Sequence, residues 1–442
     1  MTASASEHDL LSLSPFTGYT YAYPHKTAYR PLAPGVPLAQ VWDAEPNDSL
    51  FLYVHVPFCE MRCGFCNLFT FAKPKADVVA GYMAALRRQS LAHRQVLGGA
   101  RVTRFAVGGG TPTFLDEGQL ADVLELAEGW IGGPVGSVPS SVETSPATAT
   151  EGRLAVLKSH GVARVSIGVQ SFSAAEVRAV ARPQPDAQTH EALRRIRAFD
   201  FPVLNIDLIY GLPGQTVVSW LASVRAALRY HPEELFLYPL YVRPLTGLGK
   251  SRRAWDDLRL DCYRAARDLL LDAGYAQASL RMFRARHAPA EAGPAYCVQE
   301  DGMLGLGCGA RAYTRGLHYS QGYAVAQRSV GELIEEYNRQ TPEDFAVIRH
   351  GFPLSEDEQR RRHLLLGLLQ SPGLDVSPYA ARFCGNVGDH FPQLHELVAL
   401  GFAEWAGDRL RLTPAGLERS DAIGPWLYSR AVRERMDVYE WR

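Results

Sequence analysis

Three cysteines lie within eight residues of one another, at positions 59, 63 and 66. Thiolates are ligands for iron-sulfur clusters and for zinc. Three of them would hold three irons of a cubane cluster and leave the fourth iron free to bind a substrate or cofactor. Zinc is the alternative, but structural zinc sites use four closed ligands, and His55 is the one further ligand nearby in sequence. The spacing therefore favours a 4Fe-4S cluster on Cys59, Cys63 and Cys66.

The elements that must position these thiols follow a βα rhythm. Short β-branched or apolar runs alternate with longer amphipathic stretches, and six such units predict a parallel sheet, closed or partly closed as a barrel. Chemistry in such sheets gathers at the carboxyl ends of the strands. The predicted strands are Leu50–Val56, Thr103–Val107, Ser140–Thr144, Arg164–Val169, Val203–Ile209 and Glu234–Tyr238, and the predicted helices include Ala76–Val96, Glu117–Gly129 and Pro185–Ala198.

Polar, small or ligating residues stand at all six predicted strand ends. The glycines after the second strand permit close backbone approach, and their N–H groups can bind a carboxylate. A merely structural barrel would not need this pattern, so we expect one site where the strand ends converge. In strand order these residues are the cysteine group, Gly108 to Pro112, Glu143, Gln170, Asp207 and Tyr238 to Tyr241.

Changes in the sequence pattern along the chain predict three structural regions. Residues 1–48 form an N-terminal arm, in which Tyr19, Tyr21 and Tyr23 either stack on a flat substrate across the barrel mouth or simply pack. Residues 49–345 form the barrel and its extension. Residues 346–442 form a small helical or winged domain that begins at a capped helix start, Ser355 to Glu358, and contains a helix at Leu394 to Leu400.

Composition and charge indicate which classes of binding partner the chain can have. With 442 residues, 47% hydrophobic residues and a net charge of −1, the chain should be a soluble globular protein. Its basic residues are scattered, which argues against nucleic acid and a membrane anchor and for a small-molecule or peptide substrate. No signal-like or membrane-spanning stretch is evident, so we expect a cytoplasmic location. We also expect a monomer.

Several motifs resemble the radical S-adenosylmethionine (SAM) superfamily and, within it, the oxygen-independent coproporphyrinogen III oxidase (HemN-type) family. The cysteine spacing, with an aromatic residue directly before the last cysteine, is that of the superfamily. The remaining motifs resemble the HemN-type family and run through residues 50 to 440. They are Tyr53–Cys59, Gly108–Thr113, Arg164–Phe172, Asn205–Thr216 and Leu354–Asp357.

The resemblance implies an α/β fold: a partial (β/α)6 TIM-like radical SAM barrel with a small C-terminal helical or winged domain. It also implies that SAM binds the open iron and is cleaved reductively to a 5′-deoxyadenosyl radical, which takes a hydrogen atom from substrate. The reductant would be a protein such as flavodoxin or ferredoxin. The resemblance places Tyr53, Gly109 and Glu143 on the iron-bound SAM, and Phe65, Gly110, Thr111, Gln170, Arg182 and Asp207 on a second SAM.

The chain departs from this family at one position. The porphyrinogen oxidases have a further cysteine two residues beyond the third ligand, where this chain has Leu68 after Asn67. Because matches to the second SAM pocket are retained, we expect that the second SAM donates a methyl-derived carbon, as in C-methyltransferases of this branch. The alternatives are oxidative decarboxylation of coproporphyrinogen III in porphyrin synthesis and a non-enzymatic haem chaperone. For a carboxylated tetrapyrrole, a basic pocket could be drawn from Arg243, Arg252, Arg253 and Arg281, or these residues lie on solvated helix faces.

The cysteine group yields a direct prediction. Replacing Cys59, Cys63 and Cys66 together by alanine should abolish the brown chromophore of the reconstituted protein and all SAM cleavage, because no thiolate remains to hold iron. Absorbance and chromatographic detection of deoxyadenosine measure the two effects. Retained cleavage would refute the assignment of the cluster to these cysteines.

Overall fold

Thirteen of the eighteen strands in the described part of the chain form one large sheet. The structure is a computed structural model and describes residues 10–11, 13–43, 45–251, 256–290 and 302–442. In sequence order its strands are β1 (Arg30–Pro37), β2 (Leu50–Val56), β3 (Phe58–Cys59), β4 (Phe71–Ala72), β5 (Val102–Gly109), β6 (Ser140–Thr144), β7 (Arg164–Gln170), β8 (Val203–Tyr210), β9 (Glu234–Pro239), β10 (Tyr275–Gln277), β11 (Met282–Ala285), β12 (Met303–Leu306), β13 (Arg311–Tyr313), β14 (Leu317–Ser320), β15 (Val347–Pro353), β16 (Leu374–Asp375), β17 (Ala403–Ala406) and β18 (Arg409–Leu412).

The centre of the sheet is parallel, as the βα rhythm predicts. Strands β2, β5, β6, β7, β8 and β9 pair side by side in that order, and all six predicted strands are confirmed. Apolar side chains are buried on these strands because helices cover the sheet, so they read as apolar runs. A seventh parallel strand, β12, pairs with β2 and was not predicted, since it is only four residues long.

Antiparallel strands extend both sides of this parallel centre. On one side β13, β14, β15 and β1 follow β12, and on the other side β11 and β10 follow β9. The two outermost strands, β1 and β10, do not pair with each other, so the sheet does not close. This is the partial barrel that the family resemblance implied.

Helices follow the parallel strands and begin at recognisable caps. The side chain of Asp116, for example, accepts a hydrogen bond from the Gln119 N–H at 2.8 Å and starts α3. No described helix combines the length and apolar character of a membrane span. The helices are α1 (Leu38–Trp42), α2 (Ala76–Leu97), α3 (Glu117–Ile131), α4 (Glu151–Ser159), α5 (Ala174–Ala179), α6 (Asp186–Ala198), α7 (Val217–Leu228), α8 (Arg259–Asp272), α9 (Gln327–Arg339), α10 (Pro342–Phe345), α11 (Glu356–Leu368), α12 (Val376–Phe383), α13 (Val387–His390), α14 (Leu394–Ala399), α15 (Pro414–Leu417), α16 (Ser420–Trp426) and α17 (Arg430–Asp437).

The C-terminal residues build a second hydrophobic core. Helix α11 begins after Ser355, as its capping pattern predicts, and β17 and β18 form a two-stranded wing, to which β16 adds a third strand. Strands β1 and β15 belong to the large sheet although they lie outside residues 49–345. The proposed division into 1–48, 49–345 and 346–442 remains a prediction.

The N-terminal arm lies between the barrel and the C-terminal helices. The Gly18 N–H donates to the Asp421 carbonyl at 2.9 Å, and Thr20 shares a hydrogen bond of 2.8 Å with the Tyr428 hydroxyl. Tyr23 is fully buried and donates to Glu358 of α11. These contacts hold the arm across the mouth of the barrel.

A buried ion pair joins three parts of the molecule. Arg281 and Asp421 are 4% and 1% exposed, and their side chains form a two-pronged pair, with Nη1 and Oδ1 3.0 Å apart. Tyr241, just after β9, donates to the same carboxylate, and the ring of Tyr19 packs 3.6 Å from the guanidinium. The pair thus connects the barrel, the arm and the C-terminal helices.

Removing one partner of this pair should destabilise the protein strongly. Asp421→Asn leaves the Arg281 charge buried without compensation, which costs about 3–5 kcal/mol in comparable sites. Urea unfolding followed by tryptophan fluorescence measures the loss. The control is Glu434→Gln, which breaks an exposed pair with Arg430 on α17 and should change the free energy of unfolding little. A loss for Asp421→Asn no greater than that of the control would contradict the assignment.

Candidate active site

A cavity of about 640 Å³ opens at the carboxyl ends of the parallel strands. This volume is in the range of small-molecule and cofactor sites. The arm, the tail residue Trp441 and the segment after β9 complete its wall. Eleven of the twelve predicted site residues line this one cavity: Cys59, Cys63, Cys66, Phe65, Gly109, Gly110, Thr111, Glu143, Gln170, Arg182 and Asp207.

The cysteine loop is held against the end of β5 by close backbone approach. A Cβ atom at Gly110 would lie 3.0 Å from the Cys59 sulfur and 2.5 Å from the Phe58 carbonyl oxygen, so only glycine fits there. The Gly64 N–H donates to the Val180 carbonyl at 2.7 Å and fixes the middle of the loop. The loop conformation is therefore set by its neighbours rather than by its own sequence.

The expected anion-binding role of the glycine N–H groups differs from what the structure shows. The Gly110 and Thr111 N–H groups donate to the carbonyls of Val56 and Phe58, each at 2.8 Å. The Gly109 N–H donates to the Glu143 carboxylate at 3.2 Å. These groups are already satisfied, so the glycines serve close packing of the loop, and the Thr111 hydroxyl lies 3.6 Å from the Cys59 sulfur.

The three thiols fit a cluster with one open iron. They share one wall of the cavity, and the Arg182 guanidinium donates to the Cys63 sulfur at 3.1 Å, a contact that stabilises a thiolate. No three His, Cys, Asp or Glu side chains of the described residues are arranged around a single ion. A cubane instead takes each thiolate on a different iron. Burial raises the pKa of the Cys59 thiol to about 12, and a bound metal would favour its thiolate.

Glu143 is the carboxylate next to the glycine turn. Its side chain is open to the cavity yet enclosed by protein, so desolvation, and next the Asp207 carboxylate, raises its pKa to about 7. Tyr53 lies behind it and is the one predicted site residue outside the cavity lining. A Cβ atom at Gly108 would lie 2.8 Å from Glu143 and 3.0 Å from the Tyr53 hydroxyl, so Gly108 leaves room for both side chains.

Gln170 reaches the cavity through an irregularity in β7. The pairing of β7 with β8 shifts register between Gly168 and Gln170, and Gln170 adopts a left-handed backbone conformation with φ of +69°. Such a conformation is unfavourable for a residue with a Cβ atom and concentrates at functional sites. The bulge places this amide side chain on the cavity wall.

Asp207 and Arg182 are both held in place by neighbours. Asp207 accepts hydrogen bonds from Asn205 at 2.7 Å and from Ser166 at 3.3 Å, and burial raises its pKa. Arg182 also donates to the Gly168 carbonyl at 2.6 Å and to Gln184 at 3.0 Å. In the sequence, Arg182 lies in an arginine-rich stretch that gives no sign of this role. The fold shows that its side chain reaches Cys63 of the cysteine loop.

Two of the four arginines considered for a tetrapyrrole pocket are described by the structure, and they have different surroundings. Arg243 lines the cavity, whereas Arg281 pairs with Asp421. Arg252 and Arg253 lie outside the described residues. Lys26 and Arg311 also line the cavity and were missed, because one belongs to the arm and the other to the unpredicted hairpin after β12. The Tyr-rich sequence before Lys26 was the available signal for the arm.

Comparison with known proteins agrees with this geometry. Residues 53–227 match the radical SAM superfamily, and residues 354–418 match the HemN C-terminal domain. The chain belongs to the HemN-type family of radical SAM proteins. It is similar to an oxygen-independent coproporphyrinogen III oxidase from Bradyrhizobium diazoefficiens, with 27% identity over 87% of this chain and 90% of that protein. It is also similar to a heme chaperone, HemW, from Bacillus subtilis, with 25% identity over 85% and 98%.

A solved HemN-type structure has the same fold. The coproporphyrinogen III oxidase HemN from Escherichia coli aligns with a TM-score of 0.77 and 22% identity, covering 92% of this chain and 96% of that one. Membership of the family implies a 4Fe-4S cluster and SAM. The three cysteines would hold the cluster, and Glu143 and the glycine turn stand beside it.

The raised pKa of Glu143 predicts pH-dependent SAM binding. Its carboxylate can accept hydrogen bonds from an ammonium group only when it is deprotonated, so affinity should rise as the pH increases through about 7. Glu143→Gln should weaken SAM binding by roughly 10-fold or more above that pH and remove the pH dependence. Equilibrium dialysis on the reconstituted protein measures both effects.

The matched control is Glu332→Gln on α9, which alters an exposed carboxylate paired with Arg328. This variant should keep the wild-type pH profile. A Glu143→Gln profile that still rises through pH 7 would show that another group controls SAM binding.

Proposed function

We propose that this chain is a radical SAM oxidoreductase of the coproporphyrinogen III oxidase type, which abstracts a hydrogen atom from a substrate bound in the cavity. One observation carries the proposal: the three thiols, the carboxylates of Glu143 and Asp207 and the Arg182 guanidinium line the same cavity. Cofactor and substrate would therefore meet in one enclosed space. A small electron carrier such as flavodoxin or ferredoxin would supply the reducing electron.

The cluster and SAM, when bound, supply hydrogen-atom abstraction, and the protein's residues position them. Glu143 and Asp207 provide acceptors for ammonium or ribose hydroxyl groups, and Gln170 provides both a donor and an acceptor. Arg182 holds the cysteine loop through Cys63. The arm and Trp441 narrow the mouth of the cavity and limit the access of water.

Methyl transfer, which the sequence analysis favoured, has less support than the oxidase alternative. The similar proteins from Bradyrhizobium diazoefficiens and Bacillus subtilis are named as an oxidase and a heme chaperone. Phe65, Gly110, Thr111, Gln170, Arg182 and Asp207 line the cavity, and a second SAM among them remains a proposal. We therefore place hydrogen abstraction with a single productive SAM first.

Leu68 stands where the oxidases have their further cysteine, and this position separates the chain from them by sequence. Leu68 and the preceding Asn67 both line the cavity, and the Asn67 carbonyl accepts a hydrogen bond from the Tyr323 hydroxyl at 2.5 Å. The difference therefore lies on the cavity wall rather than at a remote surface. We therefore infer that the substrate is related to coproporphyrinogen III but not identical to it.

The products of SAM distinguish the three functions. The protein is reconstituted anaerobically with iron and sulfide, reduced with dithionite and incubated with SAM, with and without coproporphyrinogen III. We expect deoxyadenosine and methionine without S-adenosylhomocysteine, measured together by mass spectrometry. Because hydrogen abstraction consumes no methyl group, deoxyadenosine should form without S-adenosylhomocysteine.

The remaining outcomes contradict the proposal in different ways. S-Adenosylhomocysteine formed in step with deoxyadenosine would support carbon transfer. Neither product, together with tight haem binding, would support a chaperone. The triple cysteine variant is the control for cleavage that does not depend on the cluster.

A further inference from the structure

Three basic side chains face the cavity from the segments that complete its wall. Lys26 comes from the N-terminal arm, Arg243 from the segment after β9, and Arg311 from β13. All three are half-buried. None of them is among the residues that the family resemblance placed on SAM, so their charges have no role in the site described above.

Each of these cations packs against a tyrosine ring. The Lys26 Nζ lies 3.8 Å from the centre of the Tyr323 ring. The Arg243 and Arg311 guanidinium carbons lie 4.9 Å and 4.6 Å from the rings of Tyr241 and Tyr21. Such contacts orient a cation and stabilise it modestly, but they leave its charge uncompensated.

No carboxylate of the described residues forms an ion pair with these three cations. Arg281, at the same end of the barrel, shows the contrast, because Asp421 neutralises it. The acids on the cavity wall are Glu60, Glu143, Asp207 and Asp437, and none is within 4 Å of the three basic groups. The cavity therefore carries both signs of charge, with Glu143 and Asp207 at the strand ends and the three cations on the segments that complete its wall.

The cations are also close enough to disfavour one another. Desolvation, and next the Arg311 charge, holds the pKa of Lys26 well below its usual range. Desolvation and the charges of Lys26, Arg311 and Arg243 do the same for His25. Gathering like charges in a partly desolvated site is unfavourable unless an anion binds among them.

We propose that Lys26, Arg243 and Arg311 form an anion-binding subsite that holds a carboxylate group of the substrate. Guanidinium groups bind carboxylates through paired hydrogen bonds, and two of the three residues are arginines. This inference rests on the proposed function, because it assumes that the substrate occupies the same cavity as SAM. The subsite fixes the anionic end of the substrate near the mouth and directs the remainder toward the cysteine loop.

An alternative role for these charges is to bind the cluster or the SAM carboxylate. Lys26 lies near the cysteine loop, since the Cys66 thiolate is among the groups that act on its pKa. Arg243 and Arg311 are therefore the informative residues. The test measures SAM affinity beside substrate-analogue affinity, so that the two roles give different results.

The experiment uses the full-length reconstituted protein and two test ligands of the same ring system. Coproporphyrin III carries carboxylates, and its tetra-amide is neutral. Fluorescence titration should show that the wild type binds the acid about 10- to 100-fold more tightly than the tetra-amide, the range expected for charge-assisted hydrogen bonds. Arg243→Met with Arg311→Met should lose this preference, and Arg243→Lys with Arg311→Lys should retain most of it.

Arg328→Met is the matched control, since Arg328 is 90% exposed on α9 and outside the cavity lining. It should keep the wild-type preference. The proposal is overturned if the wild type binds neither ligand or both alike, if the double methionine variant keeps the preference, or if that variant loses only SAM affinity. Ligand binding needs no turnover, so a chain that binds the acid through these arginines but cleaves no SAM contradicts the proposed reaction alone.

Discussion

The close approach of two strand-end loops is the constraint on which the site depends. The loop that carries Cys59, Cys63 and Cys66 lies directly on the turn after β5, and Gly110 leaves no room for a side chain between them. At the same place the Gly109 N–H donates to Glu143, so the predicted cluster ligands and the Glu143 carboxylate are positioned by one piece of backbone. Parallel strand pairing of β2 with β5 brings the two loops together.

The remaining parts of the molecule enclose the space that this contact creates. The buried Arg281–Asp421 pair connects the barrel extension to the C-terminal helices, and Tyr19 of the arm packs on its guanidinium. The arm is thereby held over the cavity, with Tyr21 against Arg311. Enclosure excludes water and strengthens the electrostatic contacts inside. It also gathers charges from segments that are far apart in sequence.

Local signals predicted the parallel barrel and most of the site. Strands such as Val203–Tyr210 are buried, largely apolar runs bounded by loops, and the residues at their carboxyl ends converge because parallel strands share an edge. The cysteine spacing predicted the cluster ligands, and the fold brings all three cysteines to one cavity. The short strand β12 carried too few residues for a periodic signal, so the hairpin that holds Arg311 was missed. Lys26 could not be placed either, because its position depends on tertiary contacts of the arm.

The central claim is that three cysteines hold a cluster whose fourth iron takes SAM beside Glu143. Electron-nuclear double resonance on the dithionite-reduced, reconstituted protein tests it most directly, with SAM labelled with nitrogen-15 in its amino group. The account predicts a hyperfine coupling between this nitrogen and the cluster, present in the wild type and absent in the triple cysteine variant. A reduced cluster that shows no coupling to bound SAM would contradict the account.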